Sequence, residues 1–249
     1  MKKLRNLLVT IAYDGTDYHG WQVQPNGETV QQKVQDAIEK ILGKRENIIG
    51  CSRTDSGVHA NGFCFNMRTE SEMNCYRFVG AMNAVLPDDI AVKDCREVPL
   101  DFHARYDCLG KEYIYKIWNS HQRNPYSEDR YQHYKLPLDC EMLNTQAQMF
   151  VGEHDFSSFC AAKSSVEVRV RTVEYFTVSK MQEEVILKVK ADGFLYNMVR
   201  IMVGTLLEIS EGKIPQNTIG DIINSQDRSR AGRTAPPHGL YLNKVFYKE

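Results

Sequence analysis

No C-x-x-C pair occurs in this chain, although it holds seven cysteines: Cys51, Cys64, Cys75, Cys95, Cys108, Cys140 and Cys160. Their number is odd, and their spacing fits neither a zinc site nor a dithiol redox motif. What remains is a set of scattered thiols in a reducing compartment, most of them expected as small core residues. No apolar run approaches the length of a membrane span, and no apolar stretch follows Met1-Lys2-Lys3-Leu4-Arg5-Asn6 to make a secretory signal. The expectation is a soluble, cytoplasmic protein. Low-complexity segments and Pro- or Ser-rich linkers are missing too. So is an excess of either charge. A formal net charge of −1 gives no bulk argument for nucleic acid, so a nucleic-acid binder would have to gather its basic residues on one face. Arg228, Arg230 and Arg233 share one short segment, and Arg169 and Arg171 alternate along another. Such groups are either that face or ordinary solvated charges.

What is present suits a folded α/β protein. With 249 residues, the chain is one large domain or two fused smaller ones, able to bury roughly three quarters of its unfolded surface without a metal or disulfide staple. Leu7 to Tyr13 reads as a strand that closes at Asp14-Gly15-Thr16. Thr29 caps a helix, with Gln32 completing a capping box. Val30, Val34, Ala37, Ile38, Ile41 and Leu42 form its apolar face, and Gly43 stops it. Ile48 and Ile49 open a strand that runs into a turn at 53–59, beyond which Phe63 and Phe65 alternate with Cys64 and Asn66. A second helix carries Cys75, Phe78, Val79, Met82 and Val85 and halts at Pro87. Ile90 to Val98 is a strand again. This β-α-β-β-α-β order is the split β-α-β arrangement of ferredoxin-like folds.

The second half repeats the theme with less regularity. Tyr113 to Trp118 predicts a strand, and Asp139 to Val151 a helix stopped by Gly152. Val168 to Val178 and Val185 to Lys190 look like two arms of a hairpin. Met198, Val199, Met202, Val203, Leu206 and Leu207 predict a strongly amphipathic helix ending near Gly212. A short helix at Ile219 to Ile223 and a strand from Leu240 to Tyr247 complete the chain. The fold class expected is therefore α+β: two related ferredoxin-like halves, 1–106 and 107–249, forming a mostly antiparallel sheet with a catalytic cleft between them.

Two places hold acidic residues of interest. Asp14 and Asp17 flank Gly15-Thr16, but the further carboxylates and the lysine of a metal or phosphoryl-transfer site are missing, which favours a turn built on Asp side chains. Asp55 lies between Arg53-Thr54 and Ser56-Gly57, in a turn leaving a strand, with His59 downstream. A neighbouring arginine keeps such a carboxylate ionised, and an ionised carboxylate suits covalent attack on a sugar or base carbon. Spacing alone favours an Arg–Asp pair that only braces the turn.

Read as a whole, Ser52-Arg53-Thr54-Asp55-Ser56-Gly57-Val58-His59-Ala60 resembles the signature of the TruA family of transfer RNA pseudouridine synthases. Further stretches agree in the family's order. They are Tyr13-Asp14-Gly15-Thr16 with His19-Gly20-Trp21-Gln22, Asp101-Phe102-His103-Ala104-Arg105, Lys111-Glu112-Tyr113, and Gly152-Glu153-His154-Asp155-Phe156-Ser157-Ser158-Phe159. Gly193-Phe194-Leu195-Tyr196-Asn197-Met198-Val199-Arg200 and Thr234-Ala235-Pro236-Pro237-His238-Gly239-Leu240 close the series. Ser52 and Ser56 replace the family's usual Gly and Ala, both small, so the turn is expected to repack without losing its chemistry.

The resemblance implies isomerisation of uridine to pseudouridine in the anticodon stem-loop of tRNA, without cofactor or metal. Asp55 matches the catalytic aspartate. Tyr113 matches the tyrosine that packs on the target base, Arg53 the arginine that helps hold the nucleotide out of its stack, and Arg200 the arginine that pairs with the aspartate. A homodimer is implied as well. A stacked uridine cannot present its glycosidic bond to a carboxylate, so it must be extruded at a cost of a few kcal/mol. Tyr113, Arg53 and the Arg228–Arg233 segment supply the aromatic face and cations that RNA sites use for this. Taken without the resemblance, Tyr113 reads as a buried strand tyrosine, since Tyr115 shares its face. The competing functions are a non-catalytic RNA-binding or tRNA chaperone module on the same scaffold, and a glycosidase. The latter lacks a second motif carboxylate.

Overall fold

A computed structural model of the chain describes residues 3–161 and 166–248. It divides into two units: Met1–Leu109 with Tyr241–Glu249, and Gly110–Leu240. In the first, strand β1 (Arg5–Tyr13), helix α1 (Val30–Leu42), strands β2 (Ile48–Gly50) and β3 (His59–Thr69), helix α2 (Cys75–Asn83) and strand β4 (Ile90–Val98) follow the expected split β-α-β order. Strand β1 pairs antiparallel with both β3 and β4. Short β2 lies antiparallel along the far end of β3, Ile48 opposite Met67. Near its start, β3 pairs in parallel with the last strand of the chain, β10 (Leu240–Phe246), Tyr241 opposite His59. Chain order had grouped β10 with the second half; this pairing groups its residues from Tyr241 onward with the first unit.

The helices form where capping and burial agree. Thr29 accepts the Gln32 N–H, and Gly43 ends α1 at φ 73°, leaving Val30, Val34, Ala37 and Ile38 buried. Asn74 caps α2, which buries Phe78 and Met82 and packs on β4. The alternation expected in β3 does not appear, because the strand is interior: Phe63, Cys64, Phe65, Asn66 and Met67 are all buried. Asn66 is tolerated there because its amide is satisfied, donating to Asn6 Oδ1 at 2.9 Å and accepting the Ala104 N–H at 2.8 Å.

In the second unit, β5 (Gly110–Asn119), β6 (Gln132–Tyr134), α3 (Cys140–Gln148), β7 (Gly152–Asp155), β8 (Val170–Met181), β9 (Glu184–Ala191), α4 (Met198–Ser210) and α5 (Ile219–Ser225) repeat the theme with β6 and β7 added. Strands β5, β9, β8 and β7 lie antiparallel in that order, and β6 runs parallel to β5. Phe150, Phe156, Phe159 and Phe176 make the aromatic core, with Phe150 edge-on to Phe159 at 5.0 Å. Helix α4 departs from the amphipathic reading. Ten of its thirteen residues are buried, so it is a central helix rather than a surface one. Four of the seven cysteines are buried, and none of the seven is in a disulfide. No helix among the described residues is long and apolar enough to cross a membrane.

Candidate active site

The signature turn is clamped by the N-terminal motif. Trp21 donates its backbone N–H to Thr54 O at 3.2 Å, and Gly57 donates to Tyr18 O at 3.2 Å. A Cβ on Gly15 would sit 2.0 Å from the Val58 carbonyl oxygen, and one on Gly20 2.3 Å from that of Thr54. Only glycine permits backbones this close. Two motifs some forty residues apart in sequence therefore form one body. Thr54 is buried, its Oγ1 2.8 Å from the Tyr13 hydroxyl. Val58 donates to Asp55 O at 3.2 Å, Gly57 takes φ 74°, and the chain reverses directly after Asp55. The Asp55 side chain is half-buried. The two departures from the family signature are absorbed locally: Ser56 Oγ donates to Tyr18 O at 3.2 Å, and Ser52 Oγ to Arg53 O at 3.4 Å.

His59 is buried below the turn, stacked on Tyr241 at 4.5 Å. Its Nδ1 lies 3.0 Å from the Gly15 nitrogen and 3.1 Å from Asp14 Oδ1. Asp14 Oδ1 also accepts both the N–H and the hydroxyl of Thr16, at 3.1 and 2.6 Å, the turn anticipated from its sequence. Arg53 corrects one expectation. Its side chain is exposed and makes no hydrogen bond or ion pair among the described residues, so it does not brace Asp55. It is a cation held available on the surface.

In the second unit, Tyr113 is a buried residue of β5, opposite Val189, with Phe194 edge-on at 5.1 Å. Its neighbour Tyr115 is committed to the core: its hydroxyl lies 2.9 Å from Gln132 Oε1 and 2.8 Å from Pro236 O, and burial pushes its pKa up. Just before Tyr113, Lys111-Glu112 places Glu112 as a buried acceptor of the Tyr175 hydroxyl. Arg200 stands in the first turn of α4. Its Nε donates to Ala235 O at 2.7 Å and its Nη1 to Asn197 Oδ1 at 2.9 Å, while Ala235 N–H returns to Arg200 O at 3.0 Å. Asn197 adopts φ 61°, a left-handed conformation that asparagine tolerates. The segment 231–235 is thereby tied along α4. Asn197 and Phe194 were inside a motif already quoted, and the i, i+3 spacing of Asn197 to Arg200 was the available signal.

The Arg228–Arg233 segment is not the open basic patch that its composition suggested. Arg233 pairs with Glu211 at 2.6 Å and Glu208 at 3.3 Å, and Arg228 donates to Ala231 O and Thr234 Oγ1. Only Arg230 of the three is exposed. Among the described residues, no group of three or more His, Cys, Asp or Glu is placed to hold a metal ion.

A family model described as tRNA pseudouridine synthase matches residues 9–107 and 146–248. The chain belongs to that family. The match takes in Arg53 and Asp55 in its first stretch and Arg200 in its second, while Tyr113 falls between them. Relatives extend the likeness over that gap. The tRNA pseudouridine synthase A of Acetivibrio thermocellus is 47% identical over 244 residues, covering 98% of this chain and 100% of the relative. Those of Thermoanaerobacter pseudethanolicus and Clostridium acetobutylicum are 44% and 43% identical with the same coverage.

Proposed function

We propose that this chain isomerises uridine to pseudouridine in the anticodon stem-loop of tRNA, with Asp55 as the nucleophile. The observation that carries the reading is Asp55 itself. It is a half-buried carboxylate at the apex of a turn locked by Gly15 and Gly20, inside a stretch matched by the family model. A carboxylate fixed in this way attacks without first reorganising its backbone. In the proposed course, the target uridine is extruded from its stack and Asp55 attacks it. The bond from the ribose to base nitrogen breaks, the base turns, and it rejoins the ribose through carbon 5. As carbon 5 joins the ribose the bond to Asp55 is broken again; carbon 5 then gives up its proton and the freed ring nitrogen takes one up, so substrate and product have the same atoms. Arg53, exposed and unpaired, meets the nucleotide's phosphate as it leaves the helix. Tyr113 offers the flipped base an aromatic surface, and Arg200, aligned by Ala235 and Asn197, takes the role of the family's aspartate-pairing arginine on the strength of the resemblance.

The same reading makes the protein a cytoplasmic homodimer: the family resemblance supports the dimer, and seven cysteines outside any disulfide fit a reducing compartment. Sedimentation at micromolar concentration tests the dimer. The activity is tested by incubating purified protein with unmodified tRNA and mapping pseudouridine chemically, with Asp55→Ala as control. Product from the wild type and none from the variant is expected. No product from the wild type, or equal product from both, sinks the assignment.

A further inference from the structure

The segment 102–107 displays an aromatic ring outward from a rigid base. Tyr106 is 74% exposed, and His103 stacks on it with centroids 4.2 Å apart and planes 28° from parallel. The Arg105 guanidinium lies 5.7 Å from the same ring centre. Tyr76 and Tyr126 are more exposed still, but neither has a ring or cation partner among the described residues. The assembly at Tyr106 is held in place from below.

His103 Nδ1 accepts the backbone N–H groups of Arg105 and Tyr106 at 3.2 and 3.3 Å, which fixes the ring's orientation. His103 O accepts from Tyr106 and Asp107 N–H at 3.1 and 3.0 Å, and His103 N–H donates to Asp107 Oδ2 at 2.7 Å. Ala104 anchors the turn to the core: its N–H reaches Asn66 at 2.8 Å, and its carbonyl takes the Tyr247 hydroxyl at 2.8 Å. Phe102 O accepts from both Asn6 and Asn66. Two buried asparagines, one on β1 and one on β3, thus hold the turn from within the sheet.

An ordered aromatic face kept in water beside a guanidinium is the pairing that single-stranded nucleic acid recognises, base on ring and phosphate on cation. We infer that Tyr106, backed by His103, stacks on an unpaired base of the tRNA other than the reacting uridine, with Arg105 neutralising a nearby phosphate. This rests on the reading that the substrate is RNA. Leu100 and Leu109, also exposed, are what a protein partner would use instead.

The test compares tRNA binding by the wild type, Tyr106→Ala, Tyr106→Phe and Arg105→Ala, with pseudouridine formation and sedimentation of the free proteins measured in parallel. Stacking losses of this kind correspond to about 5- to 150-fold weaker binding for Tyr106→Ala, with Tyr106→Phe within about twofold of wild type. Turnover at saturating tRNA is expected to hold in both. Arg105→Ala is expected to reduce the slope of log affinity against log salt by about one. The inference falls if Tyr106→Ala binds tRNA like the wild type while the wild type makes pseudouridine. It falls equally if Tyr106→Phe loses as much as Tyr106→Ala, or if the substitution changes only sedimentation, which marks a protein surface. A wild type that binds tRNA through Tyr106 but forms no pseudouridine overturns the proposed activity and leaves the platform standing.

Discussion

Thr54 and Asp55 are neighbours with different surroundings, and the contrast defines the site at the residue scale. Thr54 points into the core onto Tyr13, while Asp55 stays half-buried where the chain reverses. If Asp55 is the nucleophile, as proposed, Asp55→Ala is expected to keep the wild-type fold and lose at least about a thousandfold in turnover. Circular dichroism alongside single-turnover kinetics checks both halves of that statement; a variant that unfolds, or that stays active, contradicts it. Tyr113 separates into two outcomes. If its ring is the working part, Tyr113→Phe keeps turnover within about tenfold and Tyr113→Ala loses far more, because the phenyl face supplies the stacking energy. Equal turnover by Tyr113→Ala and wild type would leave it a strand tyrosine. The identity of Asp55 was legible in its motif, but its relation to Arg53 was not. Residues two apart share a side only while the chain stays extended. The Asp55–Val58 hydrogen bond ends the extension at that point, and the guanidinium is left in solvent.

At the scale of elements, α4 shows what a helical pattern conceals. Its apolar spacing predicts a strongly amphipathic helix, yet it is buried on nearly all sides because the segment 231–235 packs on the face that the pattern left over. Gly204 and Thr205 permit that approach. A Cβ at Gly204 would lie 1.8 Å from Arg233 O, and the Thr205 hydroxyl accepts Gly232 N–H at 2.9 Å. Gly204→Ala is expected to destabilise the protein by about 3 kcal/mol or more, as overpacking against backbone does at its upper end. Gly80, inside α2, meets nothing within 4 Å of its would-be Cβ, so Gly80→Ala is expected to stabilise by roughly 0.5–1 kcal/mol through helix propensity. Urea unfolding of the two variants gives opposite signs on this argument, and like signs would refute it. Helix propensity alone treats the two glycines alike, as mild costs within a helix. Partners supplied from thirty residues away are what distinguish them.

For the whole molecule, charge is spent internally more than its distribution along the chain suggests. Glu211 accepts from Arg233 at 2.6 Å and from the Tyr134 hydroxyl at 2.9 Å, and it pairs with Lys213. Chiefly through Arg233, its carboxyl is pulled down to about 2, and the Tyr134 hydroxyl is pushed up to about 12 by burial and by Glu211. A carboxyl whose pKa is lower folded than unfolded adds stability that is fully present above its unfolded value, near 4.5, and is lost as pH falls towards 2. Glu211→Gln is thus expected to be less stable than wild type at pH 7, with the gap closing between pH 4.5 and pH 2. Urea midpoints across that range measure it; a gap independent of pH would show that the carboxylate's charge plays no part.

The sequence by itself determined most of the elements, but not strands β6 and β7, together with the β-α-β-β-α-β order of the first unit and the motifs. These depend on local propensity and periodicity, which the chain carries at every position. Only the tertiary structure decided how those residues are used. It locked the Asp55 turn onto Gly15 and Gly20, left Arg53 unpaired, tied Arg233 to Glu211, buried α4 and set Tyr106 outward on His103. Each of these depends on a partner distant in sequence. No local pattern encodes which distant group will arrive, because that is settled only when the core closes around it.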